Sequence, residues 1–227
     1  MSFVIDAPKQ ASVAVSGTDA RFPVRRIFCV GRNYAAHARE MGNDERDPPF
    51  YFTKPADVVV ENGAQLPYPV ATQDVHHEIE LVLAIGRSGA GISVENALDH
   101  VWGVGAGIDL TRRDIQSVAK KAGRPWDMAK GFDASAPMGA LMPINDAPSL
   151  DHGRIWLSVD DTMRQEGDLS EMIWPVRDCI SHLSGLVTLE PGDLVMTGTP
   201  AGVGPVGRGQ SITAGVDGLP EVSMSYV

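Results

Sequence analysis

The chain has 227 residues, 19 Lys and Arg against 29 Asp and Glu for a net charge of −10 at pH 7, and 43% apolar residues. That is ordinary globular usage with length for one or two domains and a sizeable core, and it excludes disorder, collagen and coiled coil. The acidic balance argues against duplex nucleic acid, because neutralising phosphates takes a surplus of Lys and Arg, yet a local cation can still hold an anionic substrate.

Residues 1–24 read as a small N-terminal lead-in with no basic-then-apolar signal pattern. RIFCV at 26–30 reads as a strand. YAAHAREM at 34–41 reads as a short helix, with Asn33 as N-cap and Gly42 as its stop. Residues 41–49 are polar and turn-rich, a hinge or loop that would let the preceding helix move. Pro48 and Pro49 precede a strand around 51–53. HHEIELVLAI at 76–85 is the strongest strand pattern in the chain. Residues 93–100 read as a helix capped by Ser93, 101–110 as a glycine-rich strand, and 112–121 as a helix. Strands over 154–159 and 163–166 flank Asp160 and Asp161 as a hairpin. Val176, Ile180, Leu183 and Val187 recur at helical spacing, and strands over 193–197 and 222–227 close the chain. Gly and Pro, 24 and 16 in number, are spread along it, which suits many short strands and turns. The pattern predicts a β-rich mixed α/β fold, not a doubly wound one. No run of about 18 apolar residues marks a membrane span. Cys29 and Cys179 sit among apolar residues and read as buried thiols rather than a disulfide, so a cytoplasmic protein is expected.

Several side chains carry possible chemistry. Glu78 and Glu80 lie two apart in a strand, so both project from one face while Ile79, Leu81 and Leu83 take the other. Alone, the pair fits a solvent-facing strand edge. Asp109, at the end of another apolar strand, shifts the balance: three carboxylates form an all-oxygen ligand set suited to Mg²⁺ or Mn²⁺ rather than Zn²⁺. Of the adjacent His76 and His77, at most one could join them. His37 and Glu40 lie three apart on one helical face, either a surface ion pair or a base prepared by a carboxylate. Lys130, among apolar Met128 and Phe132, could face an oxyanion or lie along the surface. Arg112, Arg113, Lys120, Lys121 and Arg124 read mostly as a solvated helix face. Gly202 to Gly207 matches G-x-G-x-x-G, but a proline interrupts it and no helix pattern follows, so a dinucleotide site is rejected. Thr197 to Pro200 reads as a tight loop whose hydroxyls and amides could bind a carboxylate.

The stretches VGRNYAAHAREMG, PPFYFTKPADVV, HHEIELVLAIG, GIDLTRRDIQ, GRPWDMAKGFD, RQEGDLSEMIW and LEPGDLVMTGTPAGVGPV together resemble the fumarylacetoacetate hydrolase family, over about residues 22–227. Within it the chain is similar to the small acylpyruvate and fumarylpyruvate hydrolases. The resemblance implies a roll of mixed β-sheets with short helices, a single catalytic domain over 25–227 and a homodimer. It implies Mg²⁺ or Mn²⁺ held by Glu78, Glu80 and Asp109, and His37 with Glu40 as base and orienting acid on a lid. It implies Lys130 as the active-site lysine, and Arg113, Gln116 and Thr199 along the substrate. The implied reaction is hydrolysis of the C3–C4 bond of a 2,4-dioxo acid. Fumarylpyruvate, giving fumarate and pyruvate, is the favoured substrate, with Arg32, Arg113 or Arg124 meeting its distal carboxylate. The same chemistry also serves a general acylpyruvase, an oxaloacetate decarboxylase, or an isomerase or decarboxylase of longer unsaturated dioxo acids.

Overall fold

The computed structural model describes residues 3–34 and 48–227. A mixed six-stranded sheet runs in the order Met142–Pro143, Val101–Ile108, Ile79–Ile85, Asp193–Met196, Arg26–Gly31, Phe50–Lys54. Its parallel pair is Asp193–Met196 with Arg26–Gly31. A five-stranded sheet runs Thr162–Asp168, Arg154–Val159, Ser211–Val216, Val222–Tyr226, Ala64–Leu66. The helices are short: Arg113–Lys121, Asp127–Lys130 and Val176–Ser184. The architecture is the sheet-rich mixed α/β one expected.

The strand Ile79–Ile85 is buried throughout. Leu81, Leu83 and Ile85 enter a core shared with Ile155, Leu157 and Ile212 of the five-stranded sheet. Val82 and Ala84 enter a second core with Ile27, Cys29 and Leu194. Period-two alternation thus divides one strand between two cores, and a strand covered on both faces reads as an unbroken apolar run. Ser12–Ala14 and Arg21–Pro23 form a hairpin whose Val13 and Phe22 close the second core. Along Val101–Ile108, a Cβ at Gly107 would lie 2.7 Å from Met138 Sδ and 2.8 Å from Val82 Cγ2, so the close crossing needs glycine.

Some expectations change. The strand over 76–85 breaks at Glu78: Val75–His77 joins a small sheet with Thr111–Arg112 and Gly204–Pro205, and the six-stranded sheet takes over at Ile79. The helix over 93–100 shrinks to the 3₁₀ turn Ala97–His100, with no side-chain cap from Ser93. Tyr34 bridges to Met172, and the remainder of the expected 34–41 helix lies outside the described residues. The 160–161 hairpin forms, with both aspartates left-handed at φ 47° and 59°, as a tight primed turn requires. Val176, Ile180 and Leu183 are the buried face of Val176–Ser184, while Val187 packs beyond its end. No helix among the described residues is long and apolar enough to cross a membrane.

Candidate active site

Glu78, Glu80 and Asp109 converge in the interior, with one carboxylate oxygen of each within 4.8 Å of the others. The antiparallel register of the two central strands sets Ile79 opposite Ile108, so the start of one meets the end of the other. The Asp109 N–H donates to the Glu78 carbonyl at 2.8 Å, tying the break in one strand to the exit from its neighbour.

Three buried carboxylates repel one another and need positive partners. The short helix Asp127–Lys130 delivers one: Lys130 Nζ donates to Glu78 Oε2 at 2.7 Å and to Asp109 Oδ2 at 2.5 Å. Arg113 pairs with the other Glu78 oxygen. Burial alone would raise the Glu78 carboxyl, but Lys130 and Arg113 outweigh it and hold it below the usual range. Burial likewise opposes the Lys130 charge, and Asp109 and Glu78 overcome it. Glu80 differs. Burial, then Asp109 and Glu78, push it well above the carboxylate range, and the Lys130 charge and the Gly198 N–H at 2.6 Å only partly offset them. Asp109 Oδ1 has Lys54 Nζ at 2.8 Å yet accepts no hydrogen bond among the described residues. An all-oxygen trio, one of whose carboxylates forms no ion pair among the described residues, fits a divalent cation.

The trio opens into a cleft that Glu78, Glu80, Arg113, Gln116, Lys130 and Thr199 line. With Arg32, which also lines it, seven residues singled out in the sequence meet in one place, and Asp109 is buried beside them. Arg113 Nη1 donates to Gln116 Oε1 at 2.5 Å, which orients both. Phe52 and Trp126 supply apolar wall, and Lys130 Nζ sits 4.9 Å from the Phe52 ring centroid. Gly198 turns the chain from Asp193–Met196 into the cleft at φ +97°; a Cβ there would lie 2.7 Å from Asn33 Cβ. Asn33 donates to the carbonyls of Trp174 and Thr197 at 2.9 and 2.8 Å and accepts from the Trp174 N–H at 2.8 Å. It fastens the chain where the 35–47 segment departs.

Of the distal-carboxylate candidates, Arg32 and Arg113 line the cleft, and Arg32 also stacks over Phe50 at 5.2 Å. Arg124 lines outer grooves beside Pro125 instead. Lys120, taken from the sequence as part of a solvated face, joins the cleft in its place. His37 and Glu40 lie outside the described residues. His76 and His77 turn away, His76 to Asp74 at 3.0 Å and His77 to Gln165 at 2.9 Å. The glycine-rich 202–207 segment pairs as a short strand with Val75–His77, and no helix follows it.

Lys54 and Gln165 are two of the buried polar residues that the sequence does not mark. Lys54, 2% exposed, donates to the carbonyls of Leu110, Lys130 and Ser135 and to Ser135 Oγ. Gln165 joins Ile79 to Thr199. Nothing in FYFTK or RQEGD marks them, because their partners come from distant segments.

The family model for the C-terminal part of fumarylacetoacetate (FAA) hydrolase matches residues 26–225. A crystal structure of fumarylpyruvate hydrolase from Pseudomonas aeruginosa, in complex with Mn²⁺ and pyruvate, is 48% identical with a TM-score of 0.97, covering 100% of this chain and 99% of that one. A mitochondrial oxaloacetate decarboxylase of Dictyostelium discoideum is 41% identical over 196 residues, 86% of this chain and 90% of its own length. The mitochondrial oxaloacetate tautomerase FAHD1 of Arabidopsis thaliana is 43% identical over 197 residues, 87% of this chain and 88% of its own. The match runs from the Arg26–Gly31 strand into the Val222–Tyr226 strand and spans the whole acidic cleft, so the chain belongs to the fumarylacetoacetate hydrolase family as one of its enzymes.

Proposed function

We propose that this protein hydrolyses the C3–C4 bond of a 2,4-dioxo acid, with fumarylpyruvate as substrate and fumarate and pyruvate as products. The observation that carries the reading is the charge layout of the cleft: carboxylates on its floor, and Arg32, Arg113 and Lys120 around it. Glu78, Glu80 and Asp109 are the residues to hold Mg²⁺ or Mn²⁺, which when bound supplies Lewis-acid stabilisation of negative charge on a keto oxygen. Thr199 binds the pyruvate end, and Arg113 and Gln116 line the substrate. His37, oriented by Glu40, takes a proton from water, and the resulting hydroxide attacks C4. The C3–C4 electron pair leaves with the pyruvate half as its enolate, and the other half departs as the acid. Lys130 stabilises the oxyanion that develops. A homodimer with a catalytic domain over 25–227 completes the proposal.

The far end of the substrate decides which acylpyruvate is preferred. Burying an unpaired second carboxylate costs several kcal/mol. Lys120 makes no ion pair among the described residues, and burial, then the charges of Arg32 and Arg113, hold its pKa below the usual lysine value. An anion beside these cations relieves that strain. The 48% identity to a fumarylpyruvate hydrolase supports the same substrate. A second reading, an oxaloacetate decarboxylase or tautomerase, is favoured by the relatives at 41% and 43% identity. It needs no attacking water.

One panel separates them: fumarylpyruvate, acetylpyruvate and oxaloacetate with Mg²⁺ or Mn²⁺. The kcat/KM ratio of fumarylpyruvate to acetylpyruvate should exceed about ten, or about 1.4 kcal/mol. His37→Ala should lower hydrolysis by roughly 10²–10⁴, the range of a general base, and affect oxaloacetate decarboxylation less. A ratio near or below one makes the enzyme a general acylpyruvase. Turnover of oxaloacetate alone makes it a decarboxylase or tautomerase.

A further inference from the structure

We infer that Gln165 is a positioning residue that aims the Thr199 hydroxyl proton into the cleft, where it meets the carboxylate of the bound keto acid. The inference rests on the assignment of Thr199 to the pyruvate end of the substrate.

Gln165 is the one fully buried residue of the strand Thr162–Asp168, at 1% exposure. A polar side chain in such a place must satisfy its hydrogen-bonding capacity, and this one does. Its Oε1 accepts from the Ile79 N–H at 3.2 Å, and its Nε2 donates to the Pro200 carbonyl at 3.0 Å. A backbone N–H can only donate and a carbonyl can only accept, so these two partners forbid the flipped amide. The second Nε2 hydrogen points at Thr199 Oγ1, 2.8 Å away. Thr199 must therefore accept on that side. On the other side of the amide, His77 Nδ1 lies 2.9 Å from Oε1, so the ring carries its hydrogen on Nδ1. Its Nε2 is buried and without a partner among the described residues.

A hydroxyl has one hydrogen and two lone pairs. With one lone pair of Thr199 engaged by Gln165, the hydrogen is left to donate, and no acceptor among the described residues takes it. Thr199 is 4% exposed and lines the cleft, which is where that hydrogen has room to go. A freely rotating hydroxyl would be as ready to present a lone pair to an incoming anion. Gln165 excludes the rotamer that would aim the proton back at its own amide, so the hydrogen is held in one of the two remaining positions before the ligand arrives. Glutamate at the same position reverses the polarity: its carboxylate accepts from Thr199 and draws the proton out of the cleft.

The test is a double-mutant cycle read by calorimetry, using oxalate on Mn²⁺-saturated protein as the carboxylate probe. Thr199→Val should weaken oxalate binding about tenfold or more, the range for a hydrogen bond to a charged group. Gln165→Glu should weaken it comparably and raise KM more than it lowers kcat. In the Thr199→Val background, Gln165→Glu should cost nothing further, because there is no proton left to aim. Gln165→Met repeats the cycle with a neutral side chain if the glutamate variant does not fold, and its effect should also vanish with valine at 199. Full additivity in the cycle overturns the inference, since a merely structural glutamine would act independently of the hydroxyl. So does a Gln165→Glu or Gln165→Met protein that binds oxalate within twofold of wild type while Thr199→Val does not. If Thr199→Val itself binds oxalate normally, the assignment of Thr199 to the carboxylate falls, and the role of Gln165 with it.

Discussion

Glu80 is the member of the acidic trio that forms no ion pair among the described residues, accepting instead from the Gly198 N–H. Its charge is the one for which a bound cation matters most. Glu80→Gln should lower Mn²⁺ affinity by at least about tenfold, a loss that even indirect changes around metal ligands reach. Chelation should abolish turnover of the wild-type protein, and Mg²⁺ or Mn²⁺ should restore it. Calorimetry of Mn²⁺ binding, with turnover in the stripped protein beside it, checks both; full activity without metal would refute the assignment. At this scale the sequence was informative because a two-residue spacing in extended chain keeps Glu78 near Glu80, although the central strand begins only at Ile79. Lys120 is exposed, as a solvated helix face requires, but its place in the cleft wall was not legible, for the converse reason. Its helix alternates exposed and buried positions, and only the neighbouring segments decide which exposed position faces a cleft.

Among the elements, the turn Leu169–Glu171 shows how local chemistry fixes a boundary. Asp168 accepts from the Ser170 N–H at 2.9 Å, and the Glu171 carboxylate accepts from the Asp168 N–H at 3.3 Å, a reciprocal cap. Asp168 also receives the Gly153 N–H at 3.1 Å across the strand pair. The bonds from Ser170, then Gly153, hold the Asp168 carboxyl below its usual value. A lowered folded pKa means stability that is present above the unfolded value, about 3.9, and lost as pH falls through the folded one. Asp168→Ala should cost about 1 kcal/mol at pH 7, the usual loss of such a cap. The gap between wild type and variant should shrink below pH 4. Urea unfolding at pH 7, 5 and 3 measures it, and a gap independent of pH would show that the carboxylate charge contributes nothing. Several longer elements, such as Arg26–Gly31, Arg154–Val159 and Val176–Ser184, were legible from period and composition, while Ser211–Val216 was not. The short ones, such as Met142–Pro143 or Gly204–Pro205, were not, because two residues carry no period and are strands only by virtue of their partners.

Across the whole molecule, Lys54 joins the edge strand Phe50–Lys54 to the carbonyls of Leu110, Lys130 and Ser135 and to the Asp109 carboxylate. One ammonium holds together the exit of a central strand, the end of the lysine-bearing helix and the loop after it. Lys54→Met preserves volume but leaves Asp109 facing buried carbonyls. Removing one partner of a buried ion pair costs about 3–5 kcal/mol. For a chain of this size that corresponds to a fall in Tm of roughly 6–20 °C in metal-free protein. Calorimetry would detect it, and a shift under about 2 °C would mean that the cage contributes little.

The sequence by itself determined the fold class and the nearness of Glu78 to Glu80. Each follows from side-chain period and residue type, which act locally. The motifs, through their resemblance, pointed to Asp109, Lys130, Arg113, Gln116 and Thr199, and the structure brings all but the buried Asp109 to the wall of one cleft. Tertiary structure alone decided that Lys54 and Gln165 are interior, that Lys120 rather than Arg124 meets the cleft, and that Glu80 is the carboxylate of the trio with no ion pair among the described residues. The physical reason is common to all of them. A buried charge or amide is set by partners that arrive from segments far apart in the chain, and no local period records which segments will meet.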